Sequence, residues 1–201
     1  MRDSVRRLSI FIDGGHYNAI QKYYKTNFDF TLFIEQVRTC LNNQAGQFEL
    51  LHIFYYDCLP YTNGASTPEE REALTKCRSY FNFLRAQPAV RVREGVLVKH
   101  IQSNGEITLQ QKRVDLLLGL DIAEECNKQL MSHMVLVSGD ADLIPAVEYA
   151  SHKGVQVWLF HAPRTSNSCA DTLWSAADGR IEISTEFTTL VSKSRPISIR
   201  E

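Results

Sequence analysis

The sequence predicts an α/β fold with a mainly parallel central sheet flanked by helices, plus a β-hairpin insertion. Short apolar runs alternate with helical patterns, which is the order expected of a parallel sheet. The runs do not alternate polar and apolar residues strictly, as is usual for strands covered on both faces. Asn104-Gly105, between two apolar residues, is a strong signal for a tight hairpin turn. The chain has 201 residues, 44% of them hydrophobic, so we expect one domain over 1–186 and a polar tail over 187–201.

The strands are predicted from compact runs that are rich in β-branched and aromatic residues. Four of them cover residues 8–12 (LSIFI), 50–56 (LLHIFYY), 134–138 (MVLVS) and 155–160 (VQVWLF). A last strand is expected at 180–184 (RIEIS). The hairpin is expected within 90–111, either at the edge of the main sheet or projecting from it.

The helices are predicted from apolar residues at helical spacing. They cover residues 31–44, 68–87, 112–128 and 142–153. The helix from residue 68 has the clearest start, because Thr67 is a suitable N-cap, Pro68 suits the first helical position and Glu70 completes a capping box. Gly154 is a usual stop for the helix before it.

Composition excludes some classes of protein. The formal net charge is −1, so the protein has no overall positive field that would indicate a nucleic-acid partner. Binding of nucleic acid would therefore need a local basic patch or a bound metal ion. No apolar run approaches the ~20 residues of a membrane span, and the N-terminus is a poor signal peptide. The five cysteines lack the spacing of a zinc site, and their odd number favours reduced thiols and a cytoplasmic location.

Acidic residues stand where the predicted strands end. Asp13 and Asp57 follow the first and second strands, and Asp140 and Asp142 follow the strand at 134–138. Asp115 lies in the first turn of the helix from residue 112. Sites in open parallel sheets form beyond the carboxyl ends of the strands, where the strand order reverses. We therefore expect the carboxylates of Asp13, Asp115, Asp140 and Asp142 to meet at one edge.

Two of the aspartates also have simpler interpretations, and Asp121 points in another direction. Asp57 is a typical turn or capping residue after a strand, and Asp142 alone is explained as the cap of the helix that follows it. Asp121 lies six positions after Asp115, which is about 240° around the helix. The side chains of Asp115 and Asp121 therefore do not both point at one centre.

Crowded carboxylates repel one another, so that protonation or a cation must compensate them. Hard oxygen ligands without a neighbouring Cys/His cluster select Mg²⁺ or Mn²⁺. Such an ion activates water and holds a phosphate for attack. The pattern therefore indicates a cation site for phosphodiester chemistry.

Four segments resemble motifs of the NYN domain family, the LabA-like group of PIN-related nucleases. They are FIDGGHYN at 11–18, KRVDLLLGLD at 112–121, VSGDADLIP at 137–145 and SNSCADTLWSAAD at 166–178. The third is the most specific, and the matches run in family order. The resemblance implies a PIN-like three-layer sandwich and metal-dependent ribonuclease activity. It also implies that Asp13, Asp115, Asp140 and Asp142 form the acidic cluster.

The resemblance further implies that Asn18, Lys112 and Ser138 lie beside this cluster. In the family the Asn usually follows Asp-Gly within two residues, whereas here Gly15 and His16 intervene. Lys112 would neutralise charge on the phosphate, and Ser138 would orient Asp140.

Two further candidates belong to the surroundings of the cluster. Asp121 matches the second motif, and the helical geometry makes it a supporting residue that bonds Lys112 or a backbone group. His16 is a candidate general base, although a metal-bound water needs none.

Two basic patches are candidate contacts for a single-stranded RNA backbone. The first, on and after the hairpin, comprises Arg91, Arg93, Lys99, His100, Lys112 and Arg113. Charged residues that protect an exposed strand edge explain it equally well. The second comprises Lys22 and Lys25 with Tyr23 and Tyr24, for which core packing is the simpler interpretation.

The leading hypothesis is a metal-dependent ribonuclease that acts on single-stranded RNA, and a homo-oligomer is left open. One alternative is an RNA-binding or regulatory module with a degenerate nuclease site. Another is a metal-dependent phosphatase. The haloacid-dehalogenase pattern requires an Asp two positions after the strand-end Asp, and residue 15 is Gly. A Toprim-type site would carry a glutamate on the first strand, where residue 13 is Asp.

Overall fold

The computed structural model describes residues 6–64, 66–101, 107–166 and 168–193. Its strands are β1 (Arg7–Asp13), β2 (Glu49–Asp57), β3 (Val90–Glu94), β4 (Val96–Ile101), β5 (Ile107–Lys112), β6 (His133–Val137), β7 (Gln156–His161) and β8 (Gly179–Glu182). The expected turn at Asn104-Gly105 lies outside the described residues, although β4 and β5 on either side of it pair antiparallel.

Six of the strands form one parallel sheet in the order β3-β2-β1-β6-β7-β8. The chain first builds outward from β1 to β3 and then continues on the other side of β1 with β6. The strand order therefore reverses between β1 and β6, and ligand sites of open α/β sheets form at the carboxyl ends of such strands. The separate β4-β5 hairpin confirms the predicted insertion.

Helices cover both faces of the sheet. They are α1 (Gly14–Tyr23), α2 (Phe30–Ala45), α3 (Pro68–Arg85), α4 (Val114–Asn127), α5 (Ile144–His152), α6 (Asp171–Ala176) and α7 (Thr185–Val191). The capping box predicted before α3 is present, with bonds in both directions between Thr67 and Glu70. In the described part of the chain, no helix has the length and apolar character needed to cross a membrane.

The core has two halves, one on each face of the sheet. Successive strand residues point to opposite faces, so Ile10 and Ile12 pack on one side with residues of α1, α2, α3 and α7. Phe11 points to the other side, where it packs with residues of α4, α5 and α6. These three layers confirm the predicted α/β sandwich with a mainly parallel sheet.

The structure differs from the sequence interpretation in three respects. Residues 90–94 form the parallel edge strand β3 and do not belong to the hairpin. Helix α1, which directly follows β1, and helix α6 were not expected. Helix α7 crosses the expected boundary at residue 186, because Phe187 and Val191 are buried against the core. The single domain over 1–186 stays a prediction.

Candidate functional site

Asp13 is fixed at the end of β1 by the start of α1. It is the N-cap of that helix, and its Oδ1 accepts hydrogen bonds from the backbone N–H of Gly15 (2.9 Å) and His16 (3.3 Å). Aspartate is a preferred residue at this position because its oxygen satisfies helix N–H groups that otherwise lack partners. Burial nevertheless raises the pKa of Asp13, and the charge of Asp140 adds to that rise.

Ser138 connects Asp13 to the loop after β6. Its buried hydroxyl donates to Asp13 Oδ2 (3.1 Å) and accepts from the backbone N–H of Asp140 (3.3 Å). Asp140 Oδ1 in turn accepts from the backbone N–H of Asp142 (2.9 Å) and caps a short 3-10 turn over 141–143. The suggestion that Asp142 caps the next helix is wrong, because Leu143 is the N-cap of α5 and makes no side-chain cap bond.

Asp115 lies in the first turn of α4 and is exposed. Partial burial raises its pKa, and the charges of Asp140, Asp13 and Asp142 raise it further, in that order. Asp115 is therefore close enough to the other three expected carboxyl groups for their charges to act on it, and Asp13 is close enough to Asp140. No Lys, Arg or His among the described residues forms an ion pair with any of the four.

Asp57 joins this group, although the sequence favoured a turn residue. In the β1-β2 register Asp13 pairs with Tyr56, so Asp57 is the next residue along the edge. Burial raises the pKa of Asp57, and the charge of Asp13 contributes. Asn18 Nδ2 donates to Asp57 Oδ2 (3.2 Å), which brings the shifted asparagine of the first motif to the site.

Two glycines allow the close approach of chain segments around the acidic group. A Cβ on Gly14 would lie 2.7 Å from both Asp57 Oδ2 and the Tyr56 carbonyl oxygen. A Cβ on Gly139 would lie 1.8 Å from the Ser168 carbonyl oxygen. The segment that contains the fourth motif therefore packs directly against the end of β6.

Asp121 is not part of the acidic group. Its side chain is 3% exposed, and it accepts hydrogen bonds from the Tyr56 hydroxyl (2.9 Å) and from Arg93, whose Nε lies 2.7 Å away and whose Nη2 donates a second bond. The expected bond to Lys112 or to a backbone group is wrong. Lys112 ends β5 instead of starting a helix, and its side chain is exposed.

Arg113 precedes α4 in a left-handed conformation, with φ at 76° and an exposed side chain. Two other residues of the first basic patch, Arg91 and Arg93, contact side chains of the protein. Arg93 binds Asp121, and Arg91 Nη2 donates to His52 Nε2 (2.9 Å). The side chains of Lys99 and His100 lie outside the described part of the structure.

His16 is buried beside the group. Its pKa is lowered to about 4, first by burial and then by the charge of His161. Its Nε2 has no hydrogen-bond partner in the described part of the chain. The ring is therefore neutral at neutral pH.

The donor chemistry of this edge fits a hard divalent cation. Among the described residues, the carboxylates of Asp13, Asp115, Asp140 and Asp142 form no ion pair with a basic side chain, and a crowded group of this kind is what Mg²⁺ or Mn²⁺ neutralises. Among the described residues, however, no group of three or more His, Cys, Asp or Glu side chains has an arrangement that could hold a metal ion. The residue types therefore fit the ion, while the described side-chain positions do not form a complete coordination shell.

Comparison with solved structures gives a nucleoside kinase from Burkholderia thailandensis in complex with inosine. It is 9% identical, with a TM-score of 0.37, and the match covers 90% of this chain and 63% of the kinase. The chain thus spans less than two thirds of that protein, and this weak likeness supports no conclusion about function. None of the curated proteins matches the chain.

The family comparison is more informative. The family model described as NYN domain matches residues 7–184, which is most of the chain and includes the whole acidic edge. This family consists of PIN-like nucleases that generally use divalent metals and bind nucleic acid, so it supports a nuclease role. The chain belongs to the NYN domain family.

Proposed function

We propose that the protein is a divalent-metal-dependent ribonuclease that hydrolyses phosphodiester bonds of single-stranded RNA. One observation supports this proposal most: the charges of Asp140, Asp13 and Asp142 all act on Asp115, that of Asp140 also acts on Asp13, and no basic side chain of the described residues pairs with any of the four. An arrangement of this kind costs folding free energy unless a cation binds. Family membership supports the same class of chemistry.

Different residues would position the carboxylates, bind the metal ion and stabilise the phosphate. Ser138 holds Asp13 and the Asp140 loop in a fixed relation through its two hydrogen bonds. Mg²⁺ or Mn²⁺ bound by these carboxylates would supply charge neutralisation, polarisation of the phosphate and activation of water. Lys112 and Arg113 are exposed beside the start of α4, where their charges would stabilise the negative charge that develops on the phosphate.

His16 is not assigned as the general base. Its ring is neutral at neutral pH, but the ring is buried, and its backbone N–H donates to Asp13, which caps α1. We assign it a packing role between the start of α1 and the end of β6, where Gly139 leaves room for its ring.

The test is cleavage of end-labelled single-stranded RNA in Mg²⁺, in Mn²⁺ and in EDTA, with duplex RNA and single-stranded DNA of the same sequence in parallel. Asp140→Asn and Asp115→Asn should each reduce cleavage at least 100-fold, about the loss expected when a transition-state interaction of some 3 kcal/mol is removed. Asp29→Asn is the matched control. Asp29 is also a helix N-cap, of α2, and Asn is an equally good cap there. Cleavage that is unchanged in Asp140→Asn would refute the assignment.

An RNA-binding module with a degenerate nuclease site is the second candidate. The observation in its favour is that the described carboxylates do not form a ready group of three ligands. RNA affinity that survives EDTA, together with no cleavage of any of the substrates in Mg²⁺ or Mn²⁺, would select this function instead.

A further inference from the structure

A second polar feature lies along α1, outside the acidic edge. It is an open groove of about 500 Å³. Its lining residues are Asn18, Gln21, Lys22, Lys25, Thr26 and Asn27. The groove thus follows the exposed side of the helix that starts at Asp13 and continues into the turn after it.

The lining indicates the chemistry of a ligand. Among the described residues, the lining combines two lysines with amide and hydroxyl side chains, without a carboxylate, aromatic or aliphatic side chain. Neither Lys22 nor Lys25 forms an ion pair within the part of the chain that the structure describes. Small-molecule sites are usually lined by apolar and aromatic side chains, so this groove suits an anionic, strongly hydrated ligand with many hydrogen-bonding groups.

Hydrogen bonds hold the groove in shape. Gln21 Oε1 accepts from the backbone N–H of Phe28 (2.7 Å), which folds the turn after α1 back toward the helix. The Thr26 backbone N–H donates to the Gln21 carbonyl (3.0 Å), and its hydroxyl lies 2.9 Å from the hydroxyl of Ser192. The groove is therefore built into the fold and is not a gap between loose side chains.

The groove reaches the acidic edge through its first residue. Asn18 accepts from Gln21 Nε2 (3.2 Å) and donates to Asp57 Oδ2 (3.2 Å). The charge of Asp13 acts on Asp57. A single side chain thus belongs both to the groove and to the carboxylate group, so a linear polymer that lies in the groove would present its next unit to the carboxylates.

We propose that this groove binds the sugar-phosphate backbone of single-stranded RNA directly beside the bond that is cut, with Lys22 and Lys25 contacting phosphates. The amide side chains supply donors and acceptors for ribose hydroxyls. This assignment rests on the proposed ribonuclease function for its choice of polymer. It also explains how a chain with a net charge of −1 attracts a polyanion, since the attraction comes from a local patch.

The test is the double variant Lys22→Gln/Lys25→Gln, which removes both charges and keeps the length of the side chains. Binding of a fluorescein-labelled uridine 12-mer is measured by anisotropy in EDTA, from 50 to 200 mM KCl. Loss of two phosphate contacts should reduce the slope of log K against log salt by about 1.4, so that the loss of affinity is about sevenfold larger at 50 mM than at 200 mM. Lys22→Arg/Lys25→Arg should retain the wild-type slope.

The matched control is Lys76→Gln/Lys153→Gln, which removes two exposed lysines on α3 and at the end of α5. Equal affinity and slope in the groove variant and this control would overturn the proposal, and so would absence of RNA binding by the wild type.

Cleavage adds a second measurement. In the groove variant, KM for the 12-mer should rise with little change in kcat, and hydrolysis of bis(p-nitrophenyl) phosphate, which is too small to need the groove, should be unchanged. An equal decrease of both activities would overturn the groove assignment. If the wild type binds RNA but cleaves neither substrate in Mg²⁺ or Mn²⁺, the ribonuclease proposal fails, while the salt slope still decides whether the groove is the RNA site.

Discussion

Replacement of Asp140 by asparagine should stabilise the metal-free protein and destabilise the metal-loaded protein relative to wild type. Asparagine preserves the cap bond to the backbone N–H of Asp142, because its amide oxygen accepts as the carboxylate does. It removes the charge that raises the pKa of both Asp13 and Asp115. The expected effect is therefore the loss of repulsion at an otherwise unchanged turn.

The size of the effect follows from the number of charges involved. Two unit charges about 6 Å apart repel by about 0.7 kcal/mol in a water-like dielectric. We take about 0.5 kcal/mol for each of the two couplings, because the groups are partly exposed and screened. The variant should gain about 1 kcal/mol in EDTA, or 2–4 °C in Tm for about 200 residues. The wild type should gain about 2.7 kcal/mol in metal at 100 times its Kd, and the variant almost none.

The direction in which stability changes with pH follows from the raised pKa values. The folded-state pKa of Asp13 and Asp115 is raised, so the folded protein holds those protons more tightly than the unfolded chain. Stability is therefore highest below the unfolded pKa of about 4 and falls as the pH rises through the folded pKa values. The advantage of Asp140→Asn should be absent below pH 4, should develop across that window and should persist at neutral pH.

The assay is thermal unfolding followed by circular dichroism in EDTA and in Mn²⁺, with Asp29→Asn as the control that leaves both Tm values unchanged. The order of wild type and Asp140→Asn should reverse between the two conditions. A variant that is less stable than wild type in EDTA would show that Asp140 is a structural residue. A variant that responds to Mn²⁺ as the wild type does would show that the ion binds elsewhere.

Three other predictions address neighbouring residues. Asp121→Ala should lower the free energy of unfolding, measured in urea, by about 3–5 kcal/mol, because its arginine and tyrosine partners lose a buried carboxylate. Cleavage per folded molecule should be retained. A variant that is stable but inactive would contradict this prediction. Gly139→Ala should lower cleavage and cost about 1–3 kcal/mol, because its Cβ would meet the Ser168 carbonyl oxygen at 1.8 Å, whereas Gly64→Ala, with nothing within 4 Å, should be neutral in the same assays. The His16 ring, whose pKa is about 4, should show the NMR shifts of a neutral imidazole from pH 5 to 8, and its contribution to stability should be lost as the pH falls through the unfolded value of about 6.5; a titration near pH 6.5 in the native protein would refute its burial.

Much of the fold was predictable because strand length and apolar character are local properties. The strands β1, β2, β6 and β7 each end within one residue of the predicted position, and the capping box of Thr67 and Glu70 fixed the start of α3. Helix α1 was not predictable in this way, because it begins with Gly14 and Gly15, which favour turns. Its N-terminus is instead fixed by the cap bond to Asp13, which the sequence analysis had placed in the acidic cluster and not at the start of a helix.

The membership of the acidic group was less predictable, because it depends on register and on ion pairing between distant segments. Asp57 lies near Asp13 because β2 pairs in parallel with β1, with Asp13 opposite Tyr56. The partner of Asp121 is Arg93, 28 residues earlier in the chain and on a strand that had been assigned to the hairpin. The pairing with Arg93 has no local signal in the sequence, whereas Asp57 does follow a predicted strand, and only the strand order makes it a neighbour of Asp13.

The two aspartates of α4 differ in whether a basic side chain neutralises their charge. Asp115 and Asp121 belong to one motif and one helix, yet Asp121 is buried with a guanidinium and a hydroxyl, whereas Asp115 is exposed beside other carboxylates that raise its pKa. A buried carboxylate that is paired and hydrogen-bonded stabilises the fold, and cation binding would add little further stabilisation. A carboxylate held among like charges gains most when a cation arrives. We therefore expect Asp115, which has no basic partner among the described residues, to be the residue of α4 that acts on a ligand, whereas motif membership alone does not distinguish it from Asp121.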